Sequence, residues 1–516
     1  MKLLPIGIQS FEKIRTDDYY YVDKTHIVKK FENGGYFVLS RPRRFGKSLF
    51  LDTLRQAFLG NKELFKGLYL YDNWDWDKQY PVIHISFGKG IHRTPEELKL
   101  SIEELFLDIQ RDYKITFSYP TLKGKFQEAI RTLYEKYKEK VVVLVDEYDK
   151  PILDRIDEPE IARENREILK DFYSVLKDTD IYLKLVFLTG VSRFSKVSIF
   201  SGLNQLQDIT LNPEYATICG YTQRDLETVF EERIKDFDKE EVKLWYNGYN
   251  WLGESVYNPF DILLLLSEKR FRSFWFETGT PTFLIKLFQK NSYYLPELEN
   301  LEVGEEIVSN LDIDNIYPEN LLFQAGYLTI KGQIRKGTKL KYLLTYPNIE
   351  VKISFNDAFL DYLTPSPVTK ERTESRIYDL IEGNDIEKLK EVLYSFFASI
   401  PVDWYRKNDL ESYEGFYASV VYALFNGSGL EVKAEDITNK GRIDLTVFIE
   451  ERAYIIEFKV VDEKVEGKAL QQIKEKRYFE KYVNQYKEIY LAGIEFSKAE
   501  RNVVSFEVEV IRGKGF

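Results

Sequence analysis

The sequence is poor in cysteine and histidine. Of its 516 residues, one is cysteine (Cys219) and three are histidine. A single cysteine excludes an internal disulfide and favours a reducing compartment. The same scarcity argues against a zinc site made of cysteine and histidine ligands. Any metal ion is therefore expected on carboxylates, which are ligands of Mg²⁺ or Mn²⁺.

Long apolar runs are also missing. None approaches the roughly 18–20 residues that a bilayer-spanning helix needs. The N-terminal segment MKLLPIGIQSFEKIR has a short apolar run interrupted by Pro5, which is unlike a signal peptide. We therefore predict a cytoplasmic protein without a membrane partner.

Positive charge is not in excess, because the formal net charge is -11. Any contact with nucleic acid must then use a local patch or groove. With 44% hydrophobic and 30% charged residues, the composition is that of a globular protein. Its length predicts about two to four domains.

Short apolar runs alternate with helical patterns up to about residue 210. The predicted strands are Gly35–Ser40, Pro81–Phe87, Val141–Asp146 and Ile181–Thr189. Strands separated by helices indicate a parallel sheet covered on both faces. We predict an α/β nucleotide-binding domain over residues 1–210.

The remaining sequence predicts three further segments. Residues 211–363 read as a mostly helical lid or connecting domain, with a helix starting at Thr222. Residues 364–375 are polar with two prolines and predict a linker. Residues 376–516 predict helices followed by a compact strand-rich α/β unit.

The segment RPRRFGKS, Arg41 to Ser48, has the context of a phosphate-binding loop. A predicted strand precedes it and an amphipathic helix follows, so backbone N–H groups would point at phosphates. Gly46 would let the backbone close on a phosphate, Lys47 would reach the β- and γ-phosphates, and Ser48 would bind magnesium. The other residues predicted to contact the nucleotide are Arg41, Arg43, Arg44 and Phe45.

The strand VVVLVD supplies the acidic half of such a site. Asp146 would hold the magnesium side and Glu147 would orient or deprotonate the attacking water. After the next strand, Thr189 could contact the γ-phosphate and Arg193 could sense it. The alternative is that Asp146 and Glu147 are solvated acids at the end of a strand. Thr189 would then be an ordinary turn hydroxyl and Arg193 a surface arginine.

A second group of charges lies in GRIDLTVFIEERAYIIEFKVV, which predicts a hairpin. Glu457 and Lys459 are two residues apart and share a strand face, and pairing would bring Asp444 opposite them. Two close carboxylates repel each other unless a cation lies between them, and Mg²⁺ fits. Glu414 could add an acid from a neighbouring helix. The alternative is a surface hairpin of alternating charge, but charges inside such apolar strands are costly unless paired or metal-bound.

Several motifs together resemble the AAA-ATPase-like family, in which an ATPase-like region precedes a nuclease-like domain of the PD-(D/E)XK superfamily. The motifs are YYYVDKTHIV, LSRPRRFGKSLFLDTL, VVLVDEYDKP, VFLTGVSRFSK, YNGYNW, VYNPFDIL, FWFETGTPTFL, LLFQAGYLTIK and YPNIEV. Because the family loop reads R-P-R-R-F-G-K-S, Arg41 is no departure from it. The resemblance implies nuclease roles for Asp444, Glu457 and Lys459, a preceding helical acid at Glu414, and a following helical glutamine at Gln472.

The function hypothesis is an ATP-binding and ATP-hydrolysing protein with a magnesium- or manganese-dependent nuclease domain. Its partners would be ATP and nucleic acid, with DNA favoured over RNA, in defence or mobile-element biology. One alternative is an ATP-switched binding or signalling protein with an inactive nuclease fold. Another is an ATPase motor in which the nuclease motif is incidental. The oligomeric state stays open.

Overall fold

The structure, a computed structural model, describes residues 2–194, 199–200, 203–275, 294–309, 311–364, 366–401, 413–462 and 465–514. Contacts between Cα atoms divide the chain into two compact units. The first is Met1–Phe274 with Glu302–Ile349, and the second is Trp275–Leu301 with Glu350–Phe516. Most of the motif FWFETGTPTFL lies outside the described residues.

A parallel sheet is the centre of the first unit, as predicted. Its strands are β1 (Gly35–Ser40), β2 (Val82–Ser86), β3 (Val141–Asp146), β4 (Leu183–Gly190) and β5 (Gln207–Asp208). The strand order is β2-β3-β4-β1-β5, and every ladder is parallel. β3 is buried along its whole length because parallel sheets carry helices on both faces. The carboxyl ends of β1, β3 and β4 therefore meet at one edge.

The helices around this sheet begin at recognisable caps. For example, the Thr94 hydroxyl accepts the N–H of Glu97, and Pro95 occupies the first helical position. The helices that precede and flank the sheet strands are α1 (Phe11–Thr16), α2 (Thr25–Val28), α3 (Lys47–Phe58), α4 (Pro95–Tyr113), α5 (Leu122–Tyr137), α6 (Lys150–Leu153) and α7 (Pro159–Asp178).

Residues 211–274 and 302–349 belong to the same compact unit. As predicted, a helix begins after Thr222, where Thr222 and Asp225 form a reciprocal capping box. The helices here are α8 (Gln223–Val229), α9 (Glu231–Ile234), α10 (Lys239–Tyr246), α11 (Pro259–Glu268), α12 (Glu305–Ser309) and α13 (Pro318–Ala325). The sequence did not predict the small sheet of β6 (Leu301–Gly304), β7 (Thr329–Lys336) and β8 (Lys339–Thr345).

The second unit contains a mixed sheet, as the predicted C-terminal α/β domain requires. Its strands are β9 (Glu431–Thr438), β10 (Gly441–Ile449), β11 (Arg452–Val461), β12 (Glu488–Ser497) and β13 (Asn502–Arg512), in the order β13-β12-β11-β10-β9. β10 and β11 form the predicted antiparallel hairpin, and β11 pairs with β12 in parallel. Its helices are α14 (Ile349–Leu363), α15 (Pro367–Glu382), α16 (Leu389–Ser399), α17 (Glu414–Gly427) and α18 (Lys468–Lys476).

The segment predicted as a linker, residues 364–375, includes the start of a helix. The chain from Pro367 onward forms the first turns of α15. Ser366 caps the helix by accepting the N–H of Thr369, and Pro367 occupies its first position. A proline there loses no helical hydrogen bond, so this proline starts a helix instead of breaking one.

None of the helices in the described part of the chain is both long and apolar enough to cross a membrane.

Candidate functional sites

The predicted phosphate loop joins β1 to α3 at the carboxyl edge of the parallel sheet. Lys47 is the first residue of α3, and its side chain folds back beneath the loop. The Lys47 ammonium donates to the carbonyl oxygens of Arg41 at 2.9 Å and Pro42 at 2.8 Å. Gly46 precedes the helix at φ +91°, a left-handed conformation that strains any residue with a Cβ atom. The loop thus surrounds the buried, positively charged ammonium group of Lys47.

The predicted acids lie at the same edge. The Thr189 hydroxyl at the end of β4 donates to the Asp146 carboxylate at 2.6 Å. Burial lowers the pKa of Lys47, and the negative charge of Asp146 opposes this shift most. Burial raises the pKa of Glu147, and the charge of Asp146 raises it further. The structure therefore brings Lys47, Asp146, Glu147 and Thr189 together.

Arg41 and Arg193 do not face this group as phosphate ligands. The buried Arg41 guanidinium donates to the carbonyl oxygens of Ser40, Thr210 and Tyr215. Its Cζ atom lies 4.1 Å from the centre of a Trp251 ring.

Arg193 forms an ion pair with Asp208 at 2.7 Å and donates to the Val308 carbonyl oxygen. Both arginines thus hold backbone segments together. To contact a phosphate as predicted, Arg41 or Arg193 would first have to break these hydrogen bonds.

The other loop residues differ in exposure. Phe45 is buried and packs edge-on against Tyr249, with ring centres 4.7 Å apart. The Arg44 guanidinium lies 3.9 Å from the centre of the Phe260 ring. Arg43 is exposed and Ser48 is half-buried. Arg43 and Ser48 therefore have side chains that a ligand can reach, whereas Phe45 anchors the loop.

Asp149 is a residue of this site that the sequence interpretation missed. One of its carboxylate oxygens accepts the N–H groups of Val191 at 2.9 Å and Ser192 at 2.5 Å. Burial raises the pKa of Asp149 to about 6. Asp149 therefore fixes the segment between Thr189 and Arg193. Its signal was a third acid in the motif DEYD.

The second site lies where β10 and β11 stop pairing. The antiparallel ladder ends at Leu445 and Ile456, and side chains replace backbone partners at the next position. The Asp444 carboxylate accepts the N–H of Phe458 at 2.8 Å, and the Glu457 carboxylate accepts the N–H of Asp444 at 3.4 Å. Both predicted carboxylates thus meet at one point.

Burial, more than charge repulsion, governs the protonation of this pair. Glu457 is fully buried and Asp444 is half-buried. Burial raises the pKa of Glu457, and the adjacent Asp444 carboxylate raises it further. Burial also raises the pKa of Asp444, against the opposing hydrogen bond from Phe458. Each carboxyl resists losing its proton unless a positive charge compensates.

Lys459 and Gln472 complete the predicted group. The Gln472 amide donates to Glu457 at 2.6 Å, and the Lys459 ammonium donates to Glu414 at 3.2 Å. Glu414 therefore pairs with the lysine and does not lie between the two acids. No set of three or more Asp, Glu, His or Cys side chains among the described residues converges as metal ligands. Two carboxylates still suit Mg²⁺, which completes its shell with waters and phosphate oxygens.

Helix α18 brings Gln472 to the acids because it packs closely on β12. A Cβ atom on Gly493 would lie 2.3 Å from the backbone nitrogen of Leu470. The buried Glu495 carboxylate accepts the N–H groups of Glu466 and Lys468, which fixes the start of the helix. Gly493 and Glu495 therefore determine the position of Gln472.

We expect Gly493→Ala to displace α18 and to separate Gln472 from Glu457. Because the clash is with backbone, the free energy of unfolding should fall by about 1–3 kcal/mol. Thermal unfolding of the variant measures this. Gly332→Ala is the matched control, since its Cβ atom would meet nothing within 4 Å. Equal stability of the two variants would contradict close packing at Gly493.

Sequence patterns also missed two tyrosines beside the acids. Burial raises the pKa of Tyr294, and the Asp444 charge adds to the shift. Burial raises the pKa of Tyr478, and the negative charge of Glu457 raises it further. Both phenols therefore lie near the paired carboxylates. Neither belongs to the charge pattern of the hairpin, so spacing along the chain gave no signal for them.

Comparisons with known proteins match both parts of the chain in which these residues lie. Residues 5–200 match a family model described as "Predicted AAA-ATPase". Residues 412–506 match a model described as "PD-(D/E)XK nuclease superfamily". A protein of Azotobacter chroococcum mcd 1, described as "Uncharacterized protein in vnfD 5'region", is 49% identical over 511 residues. That similarity covers 98% of this chain and 99% of the relative.

Proposed function

Because the chain belongs to a family that joins an AAA-ATPase-like region to a PD-(D/E)XK nuclease superfamily domain, we propose that it is an ATP-hydrolysing nuclease. The proposed substrate is nucleic acid, with DNA favoured over RNA, and the proposed location is the cytoplasm. The observation that carries the proposal is the meeting of Asp444 and Glu457 at the point where the ladder opens, with Lys459 on the same strand.

At the nucleotide site, each side chain has a separate role in ATP hydrolysis. The Lys47 ammonium exchanges its two loop carbonyls for β- and γ-phosphate oxygens. Ser48 and Asp146 would hold the magnesium ion. Glu147 orients the attacking water, and its raised pKa suits a group that takes up a proton. Thr189 holds Asp146 in place.

At the nuclease site, Asp444 and Glu457 would hold the cation. A bound Mg²⁺ or Mn²⁺ supplies a water of lowered pKa and polarises the phosphodiester. Gln472 fixes the orientation of the Glu457 carboxylate. Lys459 leaves Glu414 to offset charge on the phosphate and to position the water.

The test is cleavage of single- and double-stranded DNA and RNA, with and without divalent cation and with and without ATP. We expect cation-dependent cleavage whose rate changes with ATP. A cleavage rate that is the same with and without ATP would mean that the nuclease is not coupled to the ATPase. Tight ATP binding with no cleavage of any substrate would favour the ATP-switched binding protein.

Glu457→Gln should stabilise the protein while removing its response to cations. The folded-state pKa of Glu457 is raised, so the folded state binds more protons and wild-type stability falls as pH rises from about 4.3. Glutamine removes this penalty, so the variant should gain roughly 1–3 kcal/mol at neutral pH, and the gain should shrink on acidification.

Thermal unfolding with Mn²⁺ or Mg²⁺ checks the cation half of this prediction. At 100 times its dissociation constant, a cation stabilises the wild type by about 2.7 kcal/mol. Glu457→Gln should lose most of this increase. Glu507→Gln, a change of the same kind on β13, is the control. A variant less stable than wild type at pH 8 would contradict the repulsion between the two acids.

A further inference from the structure

A two-stranded ribbon projects from the first unit. It consists of the outer parts of β7 and β8, which are joined by a two-residue turn at Gly337. Every residue from Gln333 to Leu340 is exposed, whereas the inner parts of the two strands are buried at Ile330 and Leu344. Residues 333–341, here called the basic ribbon, therefore reach into solvent. Neither of the two candidate sites uses them.

The basic ribbon concentrates positive charge in an acidic protein. Residues 320–349 contain no aspartate or glutamate, although the chain as a whole has a net charge of -11. Lys336 pairs with Lys339 across the ladder, and the next pair of that face joins Ile334 to Lys341. Because directly paired residues share a face, the three lysines lie together, where like charges repel one another.

The protein itself offsets little of this charge. The Lys336 ammonium lies 2.6 Å from Glu302, but both side chains are partly exposed, and ion pairs of this kind contribute little. Lysine on an edge strand also prevents pairing between sheets, which would explain Lys336 on β7. Lys339 and Lys341, however, lie on β8, the middle strand in the order β6-β8-β7. The lysine face therefore suits an external polyanion.

We propose that the basic ribbon binds double-stranded DNA, with its lysines against the phosphates that flank the major groove. This inference rests on the proposed nucleic-acid function and deepens it. The major groove of B-form DNA is about 12 Å wide and admits a ribbon whose two strands lie about 4.8 Å apart. The corresponding groove of A-form RNA is too narrow. Residues 333–341 also include no aromatic ring on which unpaired bases would stack.

Two apolar side chains of the ribbon add to this fit. Ile334 is 39% exposed on the lysine face, and Leu340 is 38% exposed on the opposite face, paired with Arg335. In a groove, such side chains contact thymine methyl groups and lose their exposure to water. Lysine contacts with phosphates carry no sequence information. Binding by the ribbon is therefore strongly dependent on salt and weakly dependent on base sequence.

The test measures binding of the full chain to a short fluorescent DNA duplex by anisotropy, in EDTA so that no cleavage occurs. The variant combines Lys336→Gln, Lys339→Gln and Lys341→Gln. At about 0.1 M salt it should lose at least about 30-fold in affinity. The slope of log affinity against log salt should fall by about two to three, because each lost phosphate contact removes about 0.9.

The matched control combines Lys13→Gln, Lys66→Gln and Lys235→Gln, which remove the same charge from three exposed lysines of the same unit. It should bind the duplex like wild type. Arginine at the three ribbon positions should restore binding, because phosphate contacts need the charge. Thermal unfolding should be unchanged in every variant, since the ribbon side chains are exposed or half-buried.

Cleavage with a divalent cation separates this site from the chemistry. The ribbon variant should show a raised KM with little change in kcat, as expected when binding alone is lost. Wild-type duplex affinity in the ribbon variant would overturn the ribbon site and leave the nuclease proposal standing. Lost affinity for anionic lipid vesicles with unchanged DNA affinity would also overturn it. Failure of the wild type to bind any nucleic acid would overturn the proposed function itself.

Discussion

Lys459→Ala should reduce phosphodiester cleavage by about 10²–10⁴-fold, the usual loss when a group that positions or protonates reactants is removed. The Lys459 ammonium is half-buried next to Glu414 and lies two residues from Glu457 on β11. It is therefore a cation beside the two acids that can offset charge on the phosphate. Its loss leaves Asp444 and Glu457 intact. The measurement is the initial cleavage rate at saturating cation.

Stabilisation by a divalent cation shows whether Lys459→Ala loses only the cleavage step or also loses cation binding. Lys459→Ala should keep most of the thermal stabilisation by Mn²⁺, because both carboxylates remain. Lys498→Ala, which removes an exposed lysine paired with Asp462, should cleave like wild type. If Lys459→Ala cleaves at the wild-type rate, the lysine has no catalytic role and the proposed division of labour at this site is wrong.

Lys47→Ala should lower ATP hydrolysis at least about 100-fold, as loss of one preorganised charge donor does elsewhere. Lys47 is buried under the loop, and its two carbonyl acceptors lose their partner in the variant. The loop should therefore lose both its phosphate cation and part of its shape. Phosphate release under saturating ATP measures hydrolysis, and calorimetry measures affinity.

The control for Lys47 is Lys66→Ala, an exposed lysine of the same unit. We expect it to leave hydrolysis unchanged. If the nuclease depends on ATP, Lys47→Ala should also remove the effect of ATP on cleavage while keeping cation-dependent cutting. Hydrolysis at the wild-type rate in Lys47→Ala would place the nucleotide chemistry outside this loop.

Local patterns in the sequence were sufficient for the four strands β1 to β4 and for the hairpin of β10 and β11. β1 and β3 have the predicted bounds, because apolar runs flanked by polar residues mark buried parallel strands. The hairpin of β10 and β11 followed from alternation and a short turn. The helix that begins at Pro367 was not predicted, because a proline can end a helix or occupy its first position, as Pro367 does after the Ser366 cap.

By itself, the sequence determined the order of the chemical groups: a lysine after a strand and glycine turn, an acid at the end of β3, and Asp444, Glu457 and Lys459 on one hairpin. These depend on spacing of a few residues, which strand and helix periodicity fixes. Only the tertiary structure decided which arginines are already hydrogen-bonded within the protein. Arg41 and Arg193 donate to backbone carbonyl oxygens far along the chain. Likewise, Tyr294 comes close to Asp444 where distant segments of the chain pack, which no local pattern encodes.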